Sequence, residues 1–462
     1  MPENLDQLRG SFRGELLQPG DTGYDQARKL YNGMIDKHPR LIARCVDAAD
    51  VMAGVNHARN NRMLLAVRGG GHSGPGLGSC DDGMVIDLSR MKDVRMDPPE
   101  MTAQVDGGCV WGDVDHATHP FGMAVPCGFI STTGVGGLTL GGGIGYLSRS
   151  CGLTIDNLLA VDMVLADGRF VTADENRNAD LFWAIRGGGG NFGVVTSFRF
   201  RTHPVHTVTA GPIFWPIEAA PEIMPRFEEF ITNAPEEISG FFAFLVVPPV
   251  PLFPETLHLR TVCGIVWCSR ADPARTDQLL QPIAGWPEPL LRGLGPMPFP
   301  VLQSLFDGLY APGLQWYWKT DFVDHLNDAA IGAHMTHGTK LPSMFSTMHL
   351  YPMNGAVHRA KAGDTAFAYR NTKFAEVIVG VDPDAANREK ISRWARDYWD
   401  AVHPYAAPGA YVNFMMEEGT SRVEASYGGN YARLQQVKAK YDPDNLFRVN
   451  QNIEPASVAK AG

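Results

Sequence analysis

Residues 67–78 read VRGGGHSGPGLG, and no other stretch restricts the fold as severely. Gly69, Gly70 and Gly71 follow the short apolar run Leu64-Leu65-Ala66-Val67, which predicts a buried strand. Glycine lacks a Cβ and tolerates positive φ, so successive backbone N–H groups at such a turn can converge on an anion. Gly69, Gly71 and Gly74 also fit the spacing G-x-G-x-x-G, but that motif needs a helix opening on the loop. Here Ser73-Gly74-Pro75-Gly76-Leu77-Gly78 follows, which disfavours a helix. A single loop of this kind is equally an ordinary tight turn. Three of them, at residues 68–78, 134–145 and 187–193, all within the first 200 positions, predict a nucleotide site outside the Rossmann pattern.

The chain has 462 residues, enough for two or three domains, with 44% hydrophobic and 19% charged residues. A net charge of −10 without a Lys/Arg-rich run argues against nucleic-acid binding. No run of 18 apolar residues suggests a membrane span, and the polar first twenty residues do not read as a secretory signal. Seven cysteines in that context are expected to be reduced, and the chain is read as cytoplasmic.

Apolar residues at Val51, Val55 and Ala58 predict a helix capped by Asp47. Strands are predicted at 64–67, 84–88, 102–105, 109–111, 158–165, 169–172 and 194–201, with Asp167-Gly168 as a hairpin turn. A short helix is predicted at 181–185. Near residue 205 the style changes to Pro-rich loops (248–254, 293–300), several strands and a helix at 384–401. Beyond residue 410 it changes back, and a helix is predicted at 430–441, ended by Asp442-Pro443. The expected organisation is 1–205 and 410–462 as two parts of one domain, with 206–409 as another.

Arg68-Gly69-Gly70-Gly71-His72-Ser73, the segment Thr133-Gly134-Val135-Gly136-Gly137-Leu138-Thr139-Leu140-Gly141-Gly142-Gly143, and residues 187–193 resemble the FAD domain of the vanillyl-alcohol-oxidase/PCMH flavoproteins. The C-terminal stretch from Tyr441-Asp442-Pro443 to Asn450-Gln451-Asn452-Ile453 resembles the berberine-bridge-enzyme-like subgroup. The resemblance implies an α+β fold. Its bipartite FAD domain comes from both chain ends, and its substrate domain is an antiparallel sheet covered by helices. It also implies an FAD-linked oxidase using O2 and releasing H2O2, acting on a small molecule. A flavin dehydrogenase with another acceptor, or a flavin protein without turnover, stays open.

By the same resemblance His72 is expected to carry FAD covalently. Arg68, Gly69, Gly70, Gly71, Ser73, Gly74, Ser131, Thr132, Thr133, Gly136, Gly137, Gly142, Gly143, Tyr146, Val195, Asn450 and Asn452 are expected to line the cofactor. Some relatives add a cysteinyl link six residues before the Gly pair. That position is Ile130 here, and Cys127 lies three residues earlier, so a single link is expected, with Cys127 as the alternative.

Hydride removal from a C–H beside oxygen or nitrogen also needs a proton acceptor. Relatives use a tyrosine in Y-x-N-Y, but here the segment is Tyr411-Val412-Asn413-Phe414. Either the substrate is a neutral amine, or a base comes from the middle domain. Tyr317 and Lys319 share one face of a predicted strand, and Lys319, Tyr317 and Tyr411 are the candidate catalytic residues. Tyr351 is a weaker candidate. The rival features are poor. His116-x-x-His119 lacks the Glu of a zinc motif, so no metal is expected, and there is no G-x-S-x-G elbow.

Overall fold

The computed structural model describes residues 5–457; the outer domain limits expected at 1 and 462 lie outside them. The N-terminal region holds two sheets. The first, in spatial order, is Glu15–Leu17, Leu41–Arg44, Met84–Asp87 and Leu65–Arg68, and its last three strands are parallel. The parallel strands are nearly all buried, which explains why they read as unbroken apolar runs. The helix Ala48–Asn60 crosses between them, and Asp47 caps it by accepting from the Asp50 N–H. The second sheet is antiparallel: Val94–Asp97, Thr102–Asp106, Val194–Arg201, Leu158–Val164 and Phe170–Asp174. Gly168 takes φ +84° in the turn of its last hairpin.

The middle of the chain is one large antiparallel sheet that begins at Thr207 and ends at Asp382. Its backbone runs Leu291–Arg292, Thr207–Pro216, Thr261–Ser269, Ile238–Val246, Thr347–Pro352, Phe374–Asp382 and Gln315–Val323. All nine residues of Phe374–Asp382 are buried, so both faces of the sheet are covered. Helices Ala220–Asn233, Asp328–Gly338 and Arg388–Val402 cover one face, around a core that includes Phe227, Phe242, Trp267, Phe374 and Tyr398. Truncating Phe227 to Ala would open that core at a cost of about 3–5 kcal/mol. The other face packs on the N-terminal region through Phe241, Trp316, Trp318 and Tyr351.

The C-terminal segment closes back on the first region through a buried lysine. In the helix Tyr431–Tyr441, Lys438 donates to Asp442 (2.6 Å), to the Phe447 carbonyl (2.9 Å) and to the Asn191 carbonyl (2.7 Å). Asp442 also accepts from the N–H groups of Leu446 and Phe447. The D-P-D-N-L-F segment is therefore a folded latch onto the third glycine loop, and Asn191 accepts from the Ile453 N–H.

Two local expectations need correction. Trp111 opens the helix Trp111–Thr118 instead of ending a strand, because Val110 makes only an isolated bridge to Gly134. Residues Gly295–Pro298 form an edge strand, a place that tolerates prolines.

Candidate functional site

The three glycine loops and the large sheet enclose a cavity of about 340 Å³, within the size range of small-molecule and cofactor sites. Its walls contain Arg68, Gly69, Gly70, Gly71, His72 and Ser73 from the first loop. Thr133, Gly136 and Gly137 come from the second, and Val195 and Asn450 are the other expected residues that reach the wall. Close backbone approach explains several glycines. A Cβ on Gly70 would meet the Gly134 backbone nitrogen at 2.5 Å, and one on Gly74 would meet the Trp318 ring at 2.7 Å.

The remaining expected cofactor residues stand behind this wall. Thr132 Oγ1 lies 3.2 Å from His72 Nε2. Ser131 is held by Asp307, which accepts from its N–H and hydroxyl. The Gly74 carbonyl accepts from Asn32. Gly142 and Gly143 take φ +135° and +83°, and Gly142 packs beside Phe367. Tyr146 is buried edge-on to Phe129. Asn452 keeps a buried side-chain oxygen with no protein partner.

His72 sits where the first loop meets the sheet. Tyr31 stacks on its imidazole with centroids 3.8 Å apart, a contact that no sequence motif announced. Thr133 Oγ1 lies 3.5 Å from its Nδ1. Burial pushes its pKa down to about 4, against an opposing hydrogen bond to the Thr132 backbone, so the ring is neutral at ordinary pH. Behind the loop, Arg68 donates to Asp87 at 2.8 Å, and both are buried. Arg68 Nη1 and Asn450 Oδ1 have no protein partner. Backbone glycines plus unpaired buried polar atoms at the wall suit a large polar group such as a dinucleotide.

Tyr411 lines the cavity, but Lys319 and Tyr317 do not, and this corrects the expectation for both. The strand Gln315–Val323 turns Trp316 and Trp318 into the cavity, so the pleat sends Tyr317 and Lys319 to the helix side. There Lys319 donates to Glu418 at 2.7 Å and lies 4.0 Å from the centre of the Trp399 ring. Arg396 lies over Tyr317. Alternation correctly paired the residues, but it carries no sign for the inner face.

Cys127 is buried outside the wall, 2.7 Å from the Gln303 amide nitrogen, and burial raises its thiol pKa. Ile130, the position of the second link in some relatives, lines the cavity. All seven cysteines are free. Among the described residues no cluster of His, Cys, Asp or Glu is arranged for a metal, and no helix is long and apolar enough to cross a membrane.

Two phenols in the wall differ in polarity. The Tyr411 oxygen accepts from the Gly143 N–H (2.9 Å) and from Asn413 Nδ2 (2.8 Å). Its acceptor capacity is used, leaving a proton to donate. Burial pushes its pKa up to about 12 against these bonds. Phe414 packs edge-on to Tyr411 at 5.0 Å. Tyr351 stacks on Phe129 at 4.3 Å and lines the same cavity.

Residues 39–174 match the family model described as an FAD binding domain, and residues 410–454 match that described as berberine and berberine like. An FAD-linked oxidoreductase of Dictyostelium discoideum is 32% identical over 450 residues, covering 96% of this chain and 95% of that protein. (R)-6-hydroxynicotine oxidase of Paenarthrobacter nicotinovorans is 36% identical over 471 residues, covering 96% and 97%. The solved structure of BBE-like 1 from Physcomitrella patens superposes with a TM-score of 0.87 at 25% identity, covering 98% and 99% of the two chains.

Proposed function

The chain belongs to the berberine-bridge-enzyme-like FAD-linked oxidoreductases of the PCMH flavoprotein family, and from that premise we propose that it is an oxidase carrying FAD covalently on His72. In this reading the substrate is a small organic molecule with a C–H next to nitrogen or oxygen, and O2 is the electron acceptor, giving H2O2. One observation carries the proposal: a single cavity is walled on one side by glycine loops leading to a neutral imidazole, and on the other by Trp316, Trp318 and Tyr351.

Bound there, the flavin would supply the two-electron acceptor. The chain's own part is to hold and orient. Gly69–Gly71 and Gly136-Gly137 would offer backbone to the cofactor, and His72 presents an unprotonated nitrogen for the link. The aromatic walls exclude water and favour a flat, largely apolar substrate. Among the described residues no Lys, Asp or Glu lines the cavity, and the Arg68 that does is paired with Asp87, which supports an uncharged substrate such as a neutral amine.

The test is direct. Protein expressed with ample riboflavin is precipitated in acid, and the pellet should stay yellow, with flavin on the His72 peptide. An anaerobic panel of amines and alcohols scored by flavin bleaching, followed by air and an H2O2 assay, checks the chemistry. A colourless pellet contradicts the link, and reduced enzyme that is not reoxidised by air contradicts the oxidase assignment.

A further inference from the structure

We propose that Tyr351 receives the proton released by the substrate's reacting N–H or O–H and passes its own proton to His349, the final proton acceptor of the pair. This inference rests on the oxidoreductase reading above.

Thr347, His349 and Tyr351 occupy alternate positions of the strand Thr347–Pro352, hence one face, and Met348 and Leu350 lie in the opposite core. Their side chains form a chain of hydrogen bonds whose proton positions are forced. The Thr347 hydroxyl donates to the Phe244 carbonyl at 2.7 Å, and a carbonyl can only accept. Thr347 has no second proton, so the 2.9 Å contact between its oxygen and His349 Nε2 must carry the Nε2 proton. In the neutral ring Nδ1 is then bare, and at 2.5 Å it accepts the Tyr351 hydroxyl. Burial holds His349 neutral, with its pKa pushed down to about 3. The titratable groups nearest Tyr351 otherwise are Tyr310 and Tyr146, both kept protonated by burial.

The consequence is a cavity-lining tyrosine whose hydroxyl proton is turned towards His349. Other phenols in the wall also turn their protons away, but only into carbonyls, which cannot take a proton up as an imidazole nitrogen can. Tyr411 has its acceptor capacity used by Gly143 and Asn413. Tyr31 and Tyr427 donate to the carbonyls of Tyr310 and Gly188, and Phe414 has no hydroxyl. A bound flavin would accept the C–H as hydride with its two electrons. The N–H or O–H proton passes to the Tyr351 oxygen, while the Tyr351 proton moves to His349 Nδ1. The electron pair freed on nitrogen or oxygen becomes the new C=N or C=O bond.

Two measurements test this. Nitrogen-15 NMR of histidine-labelled holoenzyme should find His349 as the neutral Nε2–H tautomer from pH 5 to 8; an Nδ1–H tautomer, or titration near 6.5, overturns it. Anaerobic stopped-flow with a reducing substrate gives the second. Tyr351→Phe should slow flavin reduction about a hundredfold and abolish its solvent isotope effect, with flavin content and reoxidation by air unchanged. His349→Asn, which can still accept from Tyr351 and donate to Thr347, should lower the reduction rate but leave substrate binding near wild type, whereas His349→Leu should weaken both. Reduction of Tyr351→Phe within threefold of wild type, with the isotope effect intact, overturns the proposal and leaves the oxidoreductase reading standing. That reading would fail instead on colourless protein.

Discussion

Gly134 and Gly70 touch backbone to backbone: a Cβ on Gly134 would lie 2.4 Å from the Gly70 nitrogen. Neither side of that contact is a flexible side chain, so nothing can yield cheaply. Gly134→Ala should therefore cost about 1–3 kcal/mol, in the range of overpacking, and lower the flavin content. Gly137→Ala is the control, because a Cβ there meets nothing within 4 Å. Melting curves of flavin-free protein should separate the two, and equal melting temperatures would refute the steric account.

Lys319 is expected to matter for folding and not for catalysis. Its side chain and that of Glu418 are about nine-tenths buried and 2.7 Å apart. Removing one partner of such a pair typically costs about 3–5 kcal/mol, and Arg422, 3.8 Å from Glu418, offsets part of that cost. Lys319→Met should lower the denaturation midpoint, and adding Glu418→Gln should restore most of it. Flavin reduction per bound flavin should change less than threefold; a hundredfold loss would return Lys319 to the chemistry.

His72 should remain a competent nucleophile well below neutrality. Its folded pKa, about 4, lies below the ordinary histidine value because burial disfavours the charged ring. The stability that goes with this neutral ring is fully present above about 6.5 and is lost as pH falls towards 4. Flavin attachment to the apo-protein, followed by acid-stable absorbance, should be flat from pH 8 to 5. A midpoint near 6.5 would show that His72 titrates as an exposed histidine.

Cys127 is expected to play no part in cofactor attachment. It lies outside the cavity wall with its sulfur against Gln303. Cys127→Ser should leave the flavin mass adduct and the visible spectrum unchanged. Intact-protein mass spectrometry decides this, and loss of the adduct or a spectral shift would mean that the loop moves to bring the sulfur to the flavin.

Much of the fold was legible in the chain because its cues are local. The strand Val194–Arg201, the Asp47 cap and the Gly168 turn each follow from a few neighbouring residues. The glycine loops were legible too, since only glycine permits contacts as close as Gly70 on Gly134. At 109–111 the local β signal lost to a helix that begins at Trp111. Alternation showed that Tyr317 and Lys319 share a face, yet could not say which face looks inward. That depends on what packs above and below the sheet. Tyr31 on His72, the unpaired polar atoms of the wall and the proton order from Thr347 to Tyr351 likewise arise between residues brought together in space. Sequence alone therefore determined most of the local elements it named, the glycine cradle and the histidine within it. Tertiary packing decided which side chains line the cavity, because burial and hydrogen-bond direction are properties of surroundings that a residue type does not encode.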